Sequence, residues 1–366
     1  MIRKAFIVCN LLAALALISS FIGAWIDPID AWVFAFITLI FPYLATINMV
    51  FFLLCLLFKS KWSLISLLAL LVASPWLIDW YAVKFTSNQA SEKDLKISTY
   101  NVRLFNKYGW KTDKKTLNGM LAFLREEAPD IALFQEFYHV DDAPQYSALE
   151  PFLGTFKGYN YYFERQPTWN SSRPRFFGLA IFSRYPIVET GIISQGPKTG
   201  KAKDVYVDLL IDNDTIRVYN VHLESLGFNK AEYSFIENTG NPGRNDQLYT
   251  SKTVLNKFKG ASQKRALQVN KLARHIENCP YPVILGGDFN DTRSSFTYQM
   301  LTKDLSDAFL EAGSGFGHTY FGKGIVPSMR IDFLLHSCHF ETVSASAPSI
   351  KLSDHDPVVA TFKFER

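Results

Sequence analysis

The first 85 residues are almost entirely apolar, and their apolar positions form three runs at residues 5–26, 31–58 and 62–78. The first two runs are long enough to cross about 30 Å of hydrocarbon at about 1.5 Å per residue, and the third lies at the lower limit. Pro42 and Asn48 interrupt the second run, where we expect a kink or a buried polar contact. The pattern predicts three transmembrane helices, with Trp76 and Trp80 as interfacial anchors.

Charges in the short connectors set the orientation of these runs. Basic residues precede the first run and separate the second from the third, whereas acidic residues separate the first from the second (Arg3, Lys4, Lys59, Lys61; Asp27, Asp30). Basic residues that flank a membrane span favour the cytoplasmic side. The charges therefore predict a multi-pass cell-membrane protein with a cytoplasmic N-terminus, and they place the chain after the third run on the extracytoplasmic side. A signal peptide cleaved after about 24 residues is the alternative. We expect an anchor at residues 1–85 and a polar linker at residues 86–94, because the cleavage signal is weak and two more apolar runs follow.

After the linker, apolar and polar residues alternate as in a soluble domain. Short apolar or alternating segments predict strands at residues 95–105, 130–137, 178–187, 205–225 (two strands joined at 212–214), 282–288, 330–337 and 353–364. One helix is predicted by the spacing of Leu117, Leu121 and Leu124, and it ends at Pro129. A second is predicted to begin at Ser262 as its N-cap. Strands that alternate with single helices predict an α/β domain at residues 95–366, with two packed mixed sheets flanked by helices.

Residues 226–260 break this alternation. They have weak periodicity, several aromatic residues and many polar ones, and they are too numerous for a simple connector. We expect an inserted segment with short helical pieces.

Composition narrows the class of the domain. The chain carries 38 Lys and Arg against 34 Asp and Glu, and five of those bases and three of those acids precede residue 91. The remaining domain is therefore almost neutral and lacks the basic character of a dedicated nucleic-acid binder. Four cysteines are too few for a disulfide scaffold, and their spacing does not match a zinc site.

Polar or ionisable residues stand at the ends of several predicted strands: Asn101, Glu136, His222, Asp288, Asn290, Asp332, Asp354 and His355. Each residue alone fits a cap, a turn or a salt bridge. Together they indicate a site, because strand ends converge on one edge of a sheet and clustered carboxylates repel one another unless a cation holds them. Oxygen ligands without cysteine favour Mg²⁺, Mn²⁺ or Ca²⁺ over zinc.

Seven short segments, in this order, resemble the endonuclease/exonuclease/phosphatase superfamily with its deoxyribonuclease-I-like fold: TYNVR, LFQE, AIFSRYP, NVHLES, GGDFND, RIDFLL and SDHDPVV. The resemblance covers residues 97–364. It implies a four-layered α/β sandwich and Mg²⁺-assisted hydrolysis of a phosphoester. The apolar anchor is similar to that of membrane-tethered bacterial members.

The resemblance also implies a role for each matching position. Glu136 is implied as the principal metal ligand, with Asn101 and Asp354 beside it. Asp288 is implied to orient or deprotonate the attacking water, and Asn290 to interact with the transition state.

The remaining matches concern phosphate and the leaving group. His355 is implied to contact the scissile phosphate while Asp332 holds it, and His222 to be a general acid for the leaving oxygen. Arg103 and Arg184 stand where the family has phosphate-contacting or site-supporting arginines.

Taken together, these features predict a membrane-tethered, Mg²⁺-dependent phosphodiesterase whose partners are the lipid bilayer and an envelope-side lipid or similar phosphodiester. No obligate protein partner is inferred. An extracytoplasmic nuclease is the second interpretation, supported by His222 and the small basic loop at residues 170–176. An inositol-phosphate phosphatase and a non-catalytic scaffold of the same fold are further alternatives. The insertion at residues 226–260 is either a lid beside His222 or a plain surface loop.

Overall fold

The structure is a computed structural model that describes residues 1–83, 91, 93–109, 114–141, 147–167, 175–194, 203–227, 244–322 and 328–365. Most of the predicted linker, residues 228–243 of the insertion and nearly all of the basic loop at residues 170–176 lie outside the described residues.

The helices are α1 (Ile2–Gly23), α2 (Pro28–Leu39), α3 (Phe41–Leu57), α4 (Ser63–Val72), α5 (Ser74–Asp79), α6 (Lys114–Glu127), α7 (Leu149–Thr155), α8 (Arg244–Glu277), α9 (Phe296–Leu301) and α10 (Ala308–Ala312). The strands are β1 (Leu95–Asn101), β2 (Ile131–Val140), β3 (Asn160–Pro167), β4 (Arg175–Ser183), β5 (Ile187–Ser194), β6 (Lys203–Ile211), β7 (Asp214–His222), β8 (Val283–Asp288), β9 (Ser306–Asp307), β10 (Asp332–His336), β11 (Phe340–Ser346) and β12 (Val358–Phe364).

These strands form two six-stranded mixed sheets. The first has the order β11-β12-β1-β2-β4-β3, and the second has the order β5-β6-β7-β8-β10-β9. One pair in each sheet is parallel, β1 with β2 and β7 with β8, and the other pairs are antiparallel. The predicted pair of packed mixed sheets is therefore confirmed.

Three apolar cores hold the layers together. Ile97 and Leu133 of the first sheet pack against Val218 and Leu334 of the second. The outer face of the first sheet is covered by α6 and α7, and that of the second by α8 and α9. Because both faces of each sheet are buried, the central strands are apolar on both sides.

The prediction that a helix begins at Ser262 is wrong. Helix α8 is continuous from Arg244 to Glu277 and includes the last part of the predicted insertion. The Ser262 hydroxyl donates a hydrogen bond of 3.0 Å to the Lys259 carbonyl one turn back, so it lies inside the helix and does not cap it.

The prediction of three transmembrane helices is also wrong. In the described residues, α1 alone is long and apolar enough to cross a membrane, and a second span exists only if α2 and α3 act together across a 54° bend. Pro42 in the first turn of α3 cannot continue the helix from α2, because proline has no N–H to donate. The third run divides at Ala73, with Pro75 in the first turn of α5.

Buried amides join the N-terminal helices to one another. Asn48 of α3 donates a hydrogen bond to the Ala13 carbonyl of α1 (2.9 Å), which is the buried polar contact predicted for this residue. Asn10 of α1 donates to the Trp62 carbonyl and accepts from Ser66 of α4. Such contacts are favourable in apolar surroundings, where a lone amide has no water to bind.

Candidate active site

Strand register brings three of the predicted site residues side by side. His222 ends β7 opposite Asp288, which ends the parallel strand β8. Asp332 begins β10 and pairs with Asp288 from the other side, in antiparallel register. Since paired residues on neighbouring strands lie close together, backbone pairing alone places an imidazole and two carboxylates at one edge of the second sheet.

Two glycines allow Asp288 to reach this edge. A side chain on Gly286 would lie 2.4 Å from Leu133 of the other sheet. Gly287 has a φ of +150° and almost touches the backbone of Val221, with 2.0 Å from an ideal Cβ to its carbonyl oxygen. Both positions therefore exclude a side chain, which explains the double glycine before the aspartate.

A hydrogen bond between the two sheets completes the centre of the site. The side-chain amide of Asn101, the last residue of β1, donates to Oδ2 of Asp288 at 2.9 Å. Asn101 pairs with Gln135 of β2, so Glu136 is the next residue along the neighbouring strand. The first sheet thus places the Asn101 amide beside the Asp288 carboxylate, with Glu136 one residue beyond the strand partner of Asn101.

Asp288 is the most connected residue of the cluster. Its Oδ1 accepts a hydrogen bond of 2.8 Å from the backbone N–H of Asn290. Its Oδ2 lies 3.7 Å from Nε2 of His222 and also 3.7 Å from Nε2 of His355. The carboxylate is buried, with 1% of its side chain exposed, and two imidazoles face one of its oxygens.

His355 and Asp332 form a buried pair. Nδ1 of His355 lies 2.8 Å from Oδ2 of Asp332, and the hydroxyl of Thr319 accepts hydrogen bonds from the backbone of Asp332 and Ile331. Burial alone lowers the pKa of His355, but the Asp332 and Asp288 carboxylates outweigh burial and raise it to about 10. Burial raises the pKa of Asp332 as well, although the imidazole opposes this. We favour the ion pair for these residues because the hydrogen-bond geometry suits a charged imidazole.

Asp354 lies on the side of the site next to Asn101. Arg103 Nε is 3.1 Å from Oδ2 of Asp354, and the Arg103 backbone N–H donates to the Asn101 side-chain oxygen. Ser353 donates to the Asn101 carbonyl at 3.0 Å. Arg103 is therefore a supporting residue at the cluster.

Strained backbone coincides with the site. Arg103, Glu136 and Asn290 have φ values of 45°, 51° and 51°, in the left-handed region that costs a non-glycine residue on the order of 1–2 kcal/mol. Glu136 lies at an irregularity in the pairing of β2 with β4, and the Asn290 side-chain amide is fixed by a hydrogen bond to the Leu223 carbonyl. Such strain persists where the surroundings impose it, which is typical of functional sites.

The residues present fit a hard divalent cation. One ligand atom from each of Asp288, Asp332 and His355 lies within 4.8 Å of the others. Oδ1 of Asp332 is buried and has no hydrogen-bond donor among the described residues, so it lacks the partner that a cation would supply. The two carboxylates supply oxygen ligands of the kind that a hard divalent cation prefers. The predicted ligands Glu136 and Asp354 are not part of this group of three.

A buried amide pair beneath the site was not found from the sequence. Gln135 donates to the side-chain oxygen of Asn220 at 2.7 Å, and Asn220 donates to the carbonyls of Phe134 and Ala180. These bonds lock the two sheets together directly below the cluster. The only signal in the sequence was that Gln135 stands immediately before Glu136 and Asn220 stands two residues before His222.

Arg184, implied by the resemblance to be a phosphate-contacting or site-supporting arginine, does not lie at the cluster. Its guanidinium pairs with Asp130 at 2.7 Å and donates to the Tyr159 hydroxyl. Asp130 precedes the first residue of β2, whereas Glu136 lies further along that strand. At about 3.3 Å per residue, Arg184 is therefore roughly 20 Å from the site.

Comparisons with known proteins agree with this geometry. A family model described as "Endonuclease/Exonuclease/phosphatase family" matches residues 98–355, and a second, described as a domain of unknown function, matches residues 3–80. Among the curated proteins, none matches the chain.

Solved structures share the fold at low identity. An endonuclease/exonuclease/phosphatase from Beutenbergia cavernae DSM 12333 is 16% identical with a TM-score of 0.55, covering 74% of this chain and 72% of that one. The human Nocturnin catalytic domain with bound sulfate anion is 18% identical with a TM-score of 0.51, covering 74% and 93%. D. rerio TDP2 complexed with single strand DNA product is 15% identical with a TM-score of 0.51, covering 74% and 99%.

Proposed function

Because this chain belongs to the endonuclease/exonuclease/phosphatase family and is a metal-dependent phosphoester hydrolase, we propose that it is a membrane-tethered phosphodiesterase acting on a lipid or similar phosphodiester at the cell envelope. The observation that carries the hydrolytic site is the Asp288 carboxylate, with the Asn101 amide at 2.9 Å and two imidazoles at 3.7 Å. We divide the chain into an anchor at residues 1–85, a linker at residues 86–94 and a hydrolase domain at residues 95–366.

The protein's own groups supply most of the chemistry. Asp288, held by the Asn290 backbone and the Asn101 amide, orients a water for in-line attack and accepts its proton. His355, kept protonated by Asp332, donates from Nε2 to a phosphate oxygen. His222 provides a proton to the leaving oxygen, and its partial exposure allows it to reach the substrate.

Glu136 and Asp354 are the proposed carboxylate ligands of the divalent ion, with Asn101 beside them. When bound, Mg²⁺ neutralises charge on the phosphate oxygens. Arg103 supports this side of the site through its contact with Asp354.

Membrane attachment is supported by the surface of the N-terminal helices. Of the exposed large hydrophobic side chains in the described residues, all but six precede residue 84. So much exposed apolar surface on one set of helices is unfavourable in water and favours lipid. The basic residues in the first turn of α1 support a cytoplasmic N-terminus. With α1 as the single membrane span, the hydrolase domain is extracytoplasmic.

Sidedness has a direct test. Cys338 is exposed on the hydrolase domain, so a variant that retains Cys338 as its single cysteine reacts with a membrane-impermeant maleimide in intact cells if the domain is extracytoplasmic. Labelling only after lysis would contradict that placement, and release of the protein by carbonate washing would contradict membrane insertion.

The substrate is tested with a panel. Purified full-length protein in detergent is incubated with bis-p-nitrophenyl phosphate, phospholipids, DNA and inositol phosphates, each with Mg²⁺ and with EDTA. We expect Mg²⁺-dependent turnover, with a phosphodiester lipid as the preferred substrate. Preference for DNA would favour the second candidate, an extracytoplasmic nuclease. Two observations support this candidate: the fold shared with the TDP2–DNA product complex, and the presence of His222. Binding without turnover on every substrate would contradict hydrolysis.

A further inference from the structure

The loop that carries Asn290 is attached to the N-terminal helices on its far side. This catalytic loop, residues 289–295, leaves β8 directly after Asp288. Its Ser294 hydroxyl donates a hydrogen bond of 3.0 Å to the Thr38 carbonyl in α2, and both residues are almost fully buried. The adjacent Arg293 pairs with Asp79 of α5 at 3.4 Å. A segment four residues from Asn290 is thus part of the contact surface between the helices and the hydrolase domain.

Helix α8 provides a second connection between the same parts. Its Asn270 donates to the Asp27 carboxylate before α2 at 2.9 Å, and its Phe258 packs edge-to-face on Phe36 of α2. Arg265 of α8 contacts the Asp291 carboxylate of the catalytic loop at 3.1 Å. Helix α8 therefore contacts both α2 and the catalytic loop.

A strap at residues 313–321 connects the helices to the catalytic histidine. At one end, Gly315 and Ala82 exchange two backbone hydrogen bonds of 2.9 Å, immediately after the last N-terminal helix. At the other end, the Tyr320 ring lies 5.2 Å from the His355 ring, and Phe321 donates to the Asp354 carbonyl. The strap thus joins the end of the anchor to the segment that holds Asp354 and His355.

The surfaces of the helices and the hydrolase domain do not fill the space between them. A cavity of about 190 Å³ lies between Trp76 and Trp80 on the helices and Arg293 and Tyr298 on the domain. This pocket is partly open to solvent, so the contact between the helices and the domain is not fully packed and leaves room for the helices to shift against the catalytic loop.

We propose that docking of the N-terminal helices positions the catalytic groups: Ser294 and Arg293 hold Asn290 through the catalytic loop, and Gly315 holds His355 through the strap. Hydrolysis is then fastest when the helices are docked, and a change in the bilayer that moves them lowers the rate. This inference rests on the proposed phosphoester hydrolysis. Its physical basis is that a displacement of about 1 Å in a catalytic group can lower the rate about a hundredfold.

The test perturbs docking at a distance from the site. In full-length protein, Asn270→Asp places a carboxylate against that of Asp27 at the α2–α8 contact. The double variant Asp27→Asn with Asn270→Asp, called the swap, restores one amide facing one carboxylate. A second variant, Ala82→Pro, removes one of the two strap hydrogen bonds. Asn256→Asp makes the same change as the first variant at an exposed position of α8 and is the matched control.

Two measurements are made: kcat and KM for bis-p-nitrophenyl phosphate with Mg²⁺, and amide hydrogen exchange over residues 28–39, 289–295 and 313–321. We expect about a tenfold loss of kcat with little change in KM for Asn270→Asp and Ala82→Pro, with faster exchange in the catalytic loop and the strap. The swap recovers the wild-type values, and the control retains them.

The proposal would be overturned if hydrogen exchange showed displaced helices in a variant whose kcat was unchanged. It would also be overturned if Asn270→Asp and Ala82→Pro changed neither hydrogen exchange nor kcat. A wild-type protein without Mg²⁺-dependent turnover would contradict the proposed function instead. The exchange data would still show whether the helices and the site move together.

Discussion

The Asn101 side chain donates a hydrogen bond of 2.9 Å to Asp288, and the two residues come from different sheets, 187 positions apart in the chain. The amide oxygen of Asn101 accepts from the Arg103 backbone at the same time. Asn101 is therefore placed to orient the Asp288 carboxylate, in addition to lying among the proposed metal ligands.

We predict that Asn101→Ala lowers kcat by about a hundredfold, because Asp288 loses the donor that fixes Oδ2. The Mg²⁺ concentration that gives half-maximal rate should change less than about twofold if orientation is the main role. Mg²⁺ titrations of the purified variant and wild type provide the measurement. A large increase in the Mg²⁺ requirement would instead assign Asn101 as a direct metal ligand.

We predict that Glu136→Ala, Asp288→Ala and His355→Ala each abolish Mg²⁺-dependent hydrolysis. Each change removes a charged group from the site, which typically costs on the order of 3 kcal/mol or more in transition-state stabilisation. Initial rates with Mg²⁺ and with EDTA test this, and circular dichroism confirms folding. Glu150→Ala removes a carboxylate from the exposed first turn of α7 and should keep the wild-type rate. Near-wild-type turnover in a folded site variant would refute the role given to that residue.

Gly287→Ala should destabilise the hydrolase domain by about 2–3 kcal/mol, since the new methyl group meets the Val221 backbone and φ is +150°. Gly260→Ala is the matched control, because its added methyl group meets no atom within 4 Å and alanine favours the interior of α8. Thermal unfolding in detergent should show a lower midpoint for the first variant and an unchanged or higher one for the second. Equal midpoints in the two variants would contradict the close approach of the Gly287 backbone to the Val221 backbone.

His275 should make the protein less stable in acid. Burial lowers its pKa first, and the Arg217 guanidinium lowers it further, while Asp208 acts in the opposite direction. Because the folded-state pKa lies below the unfolded value, the stability is complete above about pH 6.5 and is lost as the pH falls through the folded pKa.

The variant His275→Gln removes this proton linkage while keeping a polar side chain near the Tyr219 hydroxyl, which contacts His275 Nδ1 at 2.9 Å. The unfolding midpoint of wild type should fall more between about pH 7.5 and about pH 5 than that of the variant. A parallel fall in the two proteins would show that His275 does not contribute.

The sequence predicted most of the central strands, although β1 ends four residues before its predicted end, β12 begins five residues after its predicted start, and β3, β5, β9 and β11 were not predicted. Buried strands need apolar runs on both faces, and glycines must stand where two backbones meet, so Gly286, Gly287 and Asp288 marked the end of β8 before any fold was known. The convergence of Asn101, Asp288 and His355 was also predicted, because strand ends in such a fold meet at one edge.

The tertiary structure alone decided which groups pair. Arg184 could serve equally well as a phosphate ligand or as a partner of Asp130. Only its position after β4, beside Asp130 at the start of β2, separates these roles. The sequence predicted a kink near Pro42, but local hydrophobic pattern could not show that α2 packs on α8, since an apolar helix face is satisfied equally by lipid or by protein. Hydrophobic pattern depends on neighbours along the chain, whereas hydrogen bonds, pKa shifts and helix docking depend on distant residues that folding brings within a few ångströms.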